Sequence, residues 1–186
     1  PCYTLHIMEN INIAEKVKRI GIHESSVIDS KDILFLEEVR GLCKSNSCGK
    51  YDTNWACPPA VGTVDECRSK CFQYGKALVF STKYIQQDYY DFEEWGKARE
   101  LHDKLTIKIN ELFKSEYPDS MTLSVGGCSL CNECTYPGGS CRLSGKMFPA
   151  LEGYGVHVSD LAEKCGIKYH NGEGTITYFG AVFFND

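Results

Sequence analysis

No stretch of this chain stays apolar long enough to span a bilayer, and the first thirty residues lack the basic-then-apolar layout of an export signal. The first absence excludes a helical membrane span, and the second leads us to expect a cytoplasmic protein with reduced thiols. Positive charge is also scarce. Lysine and arginine number 20 against 25 acidic residues, giving a net charge of −5 and a pI near 5.6. A nucleic-acid partner normally needs a basic face, so that class is excluded. An acidic surface does suit a redox partner that docks through lysines. There is no internal repeat, no low-complexity segment, no glycine-rich phosphate cradle, no nucleophile elbow and no H-E-x-x-H pair. The five histidines and the carboxylates are scattered and form no acid/base set.

What the chain has in excess is cysteine, with 11 in 186 residues. A chain of this length buries a sizeable core without covalent staples, so stability does not demand them. In a reducing compartment such a count reads as metal binding. The densest segment is GGCSLCNECTYPGGSCR, 126–142, which carries Cys128, Cys131, Cys134 and Cys141. Thiolates select iron–sulfur clusters, zinc or cuprous copper over hard cations. Three cysteines in a tight C-x2-C-x2-C run are the grip that bacterial ferredoxins use on a [4Fe–4S] cube. A zinc site more often takes two C-x2-C knuckles separated by a longer loop. Gly126 and Gly127 let the main chain approach a ligand closely. Pro137-Gly138-Gly139 is turn chemistry able to swing Cys141 back. In two-cluster ferredoxins the fourth cysteine serves the other cube, so Cys141 either closes its local site or ligates elsewhere.

A second segment, 43–71, holds Cys43, Cys48, Cys57, Cys67 and Cys71. Residues 44–62 show no periodicity and contain Gly49, Pro58-Pro59 and Gly62. So long an irregular stretch inside a domain needs something to order it, and a bound cluster would serve. Tyr51 and Trp55 are candidates to shield that cluster from water, or simply core residues. Thr63-Val-Asp-Glu66 is a capping box that starts a helix from about 64 to 75, placing Cys67 and Cys71 on one face. Either can be the fourth ligand beside Cys43, Cys48 and Cys57. Arg68 and Arg142 flank ligands and can donate to thiolate or serve the surface. Cys2 and Cys165 have no neighbouring thiol and read as free.

The remaining pattern predicts a single domain over 1–186 of α/β or α+β class, with a small mixed sheet. Strands are expected near 77–82, 121–125 and 175–184, a short one at 3–8, and helices at 10–20 and 88–116. The long helix should present Trp95, Ala98, Leu101, Leu105, Ile109, Leu112 and Phe113 on one face, with His102 beside it. A further helix should follow Asp29 or Ser30 and deliver Cys43 in its last turn, and a short one should run from Ser159 to about Cys165. Strand 77–82, a helix and strand 121–125 suggest a crossover between neighbouring parallel strands.

Cys43, Cys48, WACPPAVGTVDEC, GGCSLCNECTYP with CR at 141–142, LEGYGV at 151–156 and TYFG at 177–180 together resemble domain of unknown function 2284, a family of predicted metal-binding proteins. The resemblance runs from about residue 27 to near the end. It implies cysteine-rich proteins, chiefly of anaerobic prokaryotes, suspected of carrying iron–sulfur clusters, and it implies no reaction. Here the GGS spacer at 138–140 is the point of departure from that pattern.

The leading expectation is a one-electron module with two [4Fe–4S] clusters. One would sit on Cys43, Cys48, Cys57 and Cys71 (or Cys67), the other on Cys128, Cys131, Cys134 and Cys141. Its partner would be a redox protein or a larger oxidoreductase or methyltransferase-type system. A rival is an enzyme whose cluster keeps one iron open to substrate. Another is a structural or interaction protein in which zinc shapes the loops.

Overall fold

The last strand is the centre of the molecule. In the computed structural model, which describes residues 13–88 and 91–186, Thr175–Phe184 lies between two other strands. We number the strands β1 (Glu24–Asp29), β2 (Lys76–Ile85), β3 (Met121–Leu123) and β4 (Thr175–Phe184). Their order is β1-β2-β4-β3, and every adjacent pair is antiparallel. The helices are α1 (13–19), α2 (Glu37–Lys44), α3 (Val64–Cys71), α4 (Phe92–Glu116) and α5 (Val158–Lys164). The class is mixed α/β, as the sequence pattern predicts. Among the described residues no helix is long and apolar enough to cross a membrane.

β2 and β4 read as nearly continuous apolar runs because both faces of the sheet are covered. One face offers Ala77, Val79, Ala181 and Phe183 to a core shared with Val64, Cys67, Cys71 and Leu161. The other offers Leu78, Phe80, Val182 and Phe184 to Ile13 and Val17 of α1 and to Ile109 and Phe113 of α4. Such double burial is usual for parallel sheets. Here an antiparallel sheet achieves it by packing helices on both sides. Gly180 faces the Phe80 ring across the β2–β4 pair, and a Cβ there would collide with it.

The crossover expectation needs correction. β2 and β3 do run parallel, since each is antiparallel to β4, but β4 inserts between them. The element order alone could not reveal an insertion by a strand from the far end of the chain. Residues 24–29 form an edge strand rather than the lead into a helix, and α2 begins only at Glu37. α3 stops at Cys71 instead of 75, and α4 starts at Phe92 rather than 88, capped by Asp91 Oδ1 accepting from the Glu93 (2.8 Å) and Glu94 (3.2 Å) amides. The buried face of α4 also differs from the predicted one. Leu101 is exposed, whereas His102, Thr106 and Asn110 are buried. β3 spans 121–123, two residues shorter than expected, and α5 begins at Val158. The expected strand at 3–8, Cys2 and part of the 10–20 helix lie outside the described residues.

Candidate metal centre

Both cysteine segments leave the same region of the fold. β3 runs on through Ser124, whose backbone bridges to Ala150, and the chain then turns at Gly126 with φ +61°. α2 delivers Cys43 in its last turn, the loop 45–63 follows, and α3 returns beneath it. The capping box forms as predicted. Thr63 Oγ1 accepts from the Glu66 amide at 3.2 Å, and Glu66 Oε2 accepts from the Thr63 amide at 2.7 Å. These bonds hold the Glu66 carboxyl below the usual carboxylate range, the Thr63 amide contributing most.

The 126–142 segment gathers its thiols. Cys128, Cys131, Cys134 and Cys141 line one pocket, together with Asn54, Trp55, Leu143 and Met147. No histidine, aspartate or glutamate lines it. Its only acidic ligand groups are the four thiols, soft donors that suit iron–sulfur clusters, zinc or cuprous copper better than calcium or magnesium. The Cys128 thiol is pushed up by burial, opposed by the Leu130 amide, and it feels Cys141, Cys131 and Cys134. Cys141 thus turns back to its local group. Among the described residues no three His, Cys, Asp or Glu side chains already stand in a metal-binding arrangement, so the thiols share a pocket without converging to bonding geometry.

In the 43–71 segment burial pushes both the Cys43 and the Cys57 thiols up; Arg40 opposes this at Cys43, and a bond from Asn54 opposes it at Cys57. Cys48 also raises the Cys43 thiol, and Cys48 and Cys43 both raise that of Cys57. Cys48 is exposed and Cys57 buried. Cys67 and Cys71 instead lie in the apolar core beneath. The Cys67 Sγ donates to the Val61 carbonyl at 3.5 Å, and burial raises both thiols. Arg40 acts on Cys67 as it does on Cys43, whereas Cys71 feels Cys67 and Lys70. The buried Arg40 donates to the Gly62 carbonyl, tying α2 to the entry of α3.

The two segments interlock. Trp55 Nε1 donates to the Gly139 carbonyl at 3.0 Å, and its ring meets Tyr136 edge-on with centroids 5.0 Å apart. The Tyr136 hydroxyl donates to Asp52 Oδ1 at 2.5 Å. Lys50 packs over Gly127, where a Cβ would stand 2.7 Å from its Cγ. Arg99 of α4 closes the other side, donating from Nη2 to the Gly127 carbonyl at 3.2 Å and from Nε to Asp103 at 3.0 Å. A Cβ at Gly126 would likewise collide with Arg99 Nη1, so side chains of both Arg99 and Lys50 crowd this glycine pair.

Trp55 lines the four-thiol pocket of the other segment. Sequence reading missed Arg99, Lys50, Asn54 and Asp52, because nothing in their local spacing marks them. Arg142 donates to the Glu133 carbonyl and Arg68 pairs with Asp65 at 2.8 Å; neither bond goes to a thiol. Cys165 packs against the core, and burial pushes its thiol up to about 11.

No curated protein and no solved structure matches this chain significantly. Residues 26–184 do match the family model described as predicted metal-binding protein (DUF2284), and with that span covered the chain belongs to this family.

Proposed function

We propose that this protein is a cytoplasmic iron–sulfur protein that holds two [4Fe–4S] clusters and passes single electrons to a redox partner or a larger oxidoreductase or methyltransferase-type system. The observation that carries the reading is the pocket shared by the four thiols of Cys128, Cys131, Cys134 and Cys141, built on a C-x2-C-x2-C run and walled by Trp55. Bound there, a cube would supply a one-electron couple whose potential depends on hydrogen bonding and burial. Trp55, Leu143 and Met147 would limit water at that pocket. The other cluster would take Cys43, Cys48 and Cys57, with a fourth thiolate from α3. Cys67 is favoured over Cys71 because it shares Arg40 with Cys43. Reaching the loop group would cost Cys67 its contact with the Val61 carbonyl.

The interlock through Trp55, Tyr136 and Asp52 supports two centres working as one unit, since it ties the two loops directly to each other. Zinc is the competing metal, because the same soft donor set accepts it. Elemental analysis of protein purified without oxygen separates the two. The expected result is a brown protein with about eight irons and matching acid-labile sulfide per chain. A colourless protein holding zinc would replace this reading with that of a zinc-shaped structural or interaction protein.

A further inference from the structure

Beside the four-thiol pocket lies a second cavity, between α4 and the chain that leaves β3. Arg99, Asp103 and Ile107 form its α4 wall, and Ser124, Lys146 and Phe148 face them. The three α4 residues are spaced by four and so share one side of the helix. Cys128 lines both cavities, which makes them neighbours across one thiol.

Three features say what this cavity would hold. Ser124 is 2% exposed, and its backbone is fully used: its amide donates to the Pro149 carbonyl at 2.8 Å and its carbonyl accepts from Leu151 at 2.9 Å. Its hydroxyl, however, is buried with no hydrogen-bond partner among the described residues. Thr122, two residues earlier and on the same side of the strand, satisfies its hydroxyl on Asn110 of α4 at 2.9 Å. A buried hydroxyl left unpaired is costly, and a ligand oxygen would relieve that cost. Charge adds the sign. Two cations, Arg99 and Lys146, face one carboxylate, Asp103, which Arg99 already pairs. Arg99 has five N–H donors and uses two, on Asp103 and Gly127. Ile107 and Phe148 give the remaining wall an apolar character that suits a short hydrocarbon portion.

We propose that this cavity binds a small short-chain carboxylate, held by Arg99, Lys146 and the Ser124 hydroxyl, against the outer side of the Cys128 loop. The site would add a ligand or substrate position to a chain otherwise read as an electron carrier. It does not depend on which metal the thiols take.

The test uses the full chain, purified without oxygen, in equilibrium dialysis with labelled propionate; inorganic phosphate and propylammonium serve as comparison probes. Wild type should bind propionate saturably at millimolar concentration or below, in preference to both comparison probes. Ser124→Ala and the exposed Lys146→Ala should each weaken binding by about fivefold or more. Ser124→Ala should keep or raise the melting temperature, because it removes an unpaired buried hydroxyl. Absence of saturable propionate binding, unchanged binding in both variants, or preference for phosphate or propylammonium would overturn the assignment. Iron and sulfide measured on the same samples report on the clusters separately, so the two proposals can fail independently.

Discussion

The two cysteine segments solve one chemical problem in opposite ways. The 126–142 loop carries all four thiols within fourteen residues, and they face a common pocket. The 43–71 segment distributes five over the end of α2, an irregular loop and α3, and two of those five are sealed in the apolar core. Local spacing is enough to gather sulfurs when they are three residues apart. When helices intervene, the tertiary packing that buries the helix also decides which thiols stay available. α3 is amphipathic through its cysteines, so the face bearing Cys67 and Cys71 is the one its packing against Ala77, Val79 and Tyr154 consumes.

The sharpest way to break that contrast is to compare the α3 thiols. Cys67→Ala should remove about four irons of eight, whereas Cys71→Ala should retain all of them. The readout is iron and sulfide per chain, and the reverse pattern would make the deeper thiol the ligand. Because Cys71 is wholly buried, its truncation should still lower stability, by about 1 kcal/mol, from lost packing. Next in size is the clasp between the segments. Trp55→Ala removes the bond to Gly139 and the edge contact with Tyr136, and at this half-buried position it should cost about 2 kcal/mol. Chemical denaturation measures that cost. Trp55→Phe should recover the ring contact but not the hydrogen bond, and so fall between the two.

A third test sets the sheet against the loops, since a titratable group sits in the core. His102 is wholly buried, stacked on Phe80 and bonded through Nδ1 to Thr82 Oγ1 at 2.8 Å. Burial first and the Arg99 charge second lower its pKa to about 3. The folded state therefore keeps it neutral while the unfolded chain protonates near pH 6.5. Its stability contribution is complete above that pH and is lost as the pH falls toward about 3. Unfolding free energy should drop by about 1.4 kcal/mol per pH unit within that window. His102→Gln should flatten this slope between pH 6.5 and 5, as followed by denaturant midpoints across pH. An unchanged slope would place the acid sensitivity elsewhere. The smallest effect concerns the entry to α3. Thr63→Ala removes the capping oxygen and should cost about 1 kcal/mol in thermal unfolding, with iron content unchanged.

Legibility followed sequence distance. The capping box at Thr63 and Glu66, the strand at 175–184 and the compact thiol run were all readable, because each is fixed by residues within a few positions of one another. The edge strand Glu24–Asp29 was not readable. ESSVID carries weak strand preference, and only pairing with β2 makes it one. The buried face of α4 was misjudged for a similar reason. Periodicity favoured Leu101, but polar partners such as Thr82 for His102 and Thr122 for Asn110 decided which side turned inward.

By itself the sequence determined the metal chemistry on offer, since thiolate softness and C-x2-C-x2-C spacing are properties of the residues. Tertiary structure alone decided that β4 would divide β2 from β3, that Trp55 would wall the other segment's pocket, and that Arg99 would lock the glycine turn before Cys128. Each of those joins residues at least 28 positions apart. Such contacts are paid for in loop-closure entropy and selected by packing of the whole core, neither of which local pattern records.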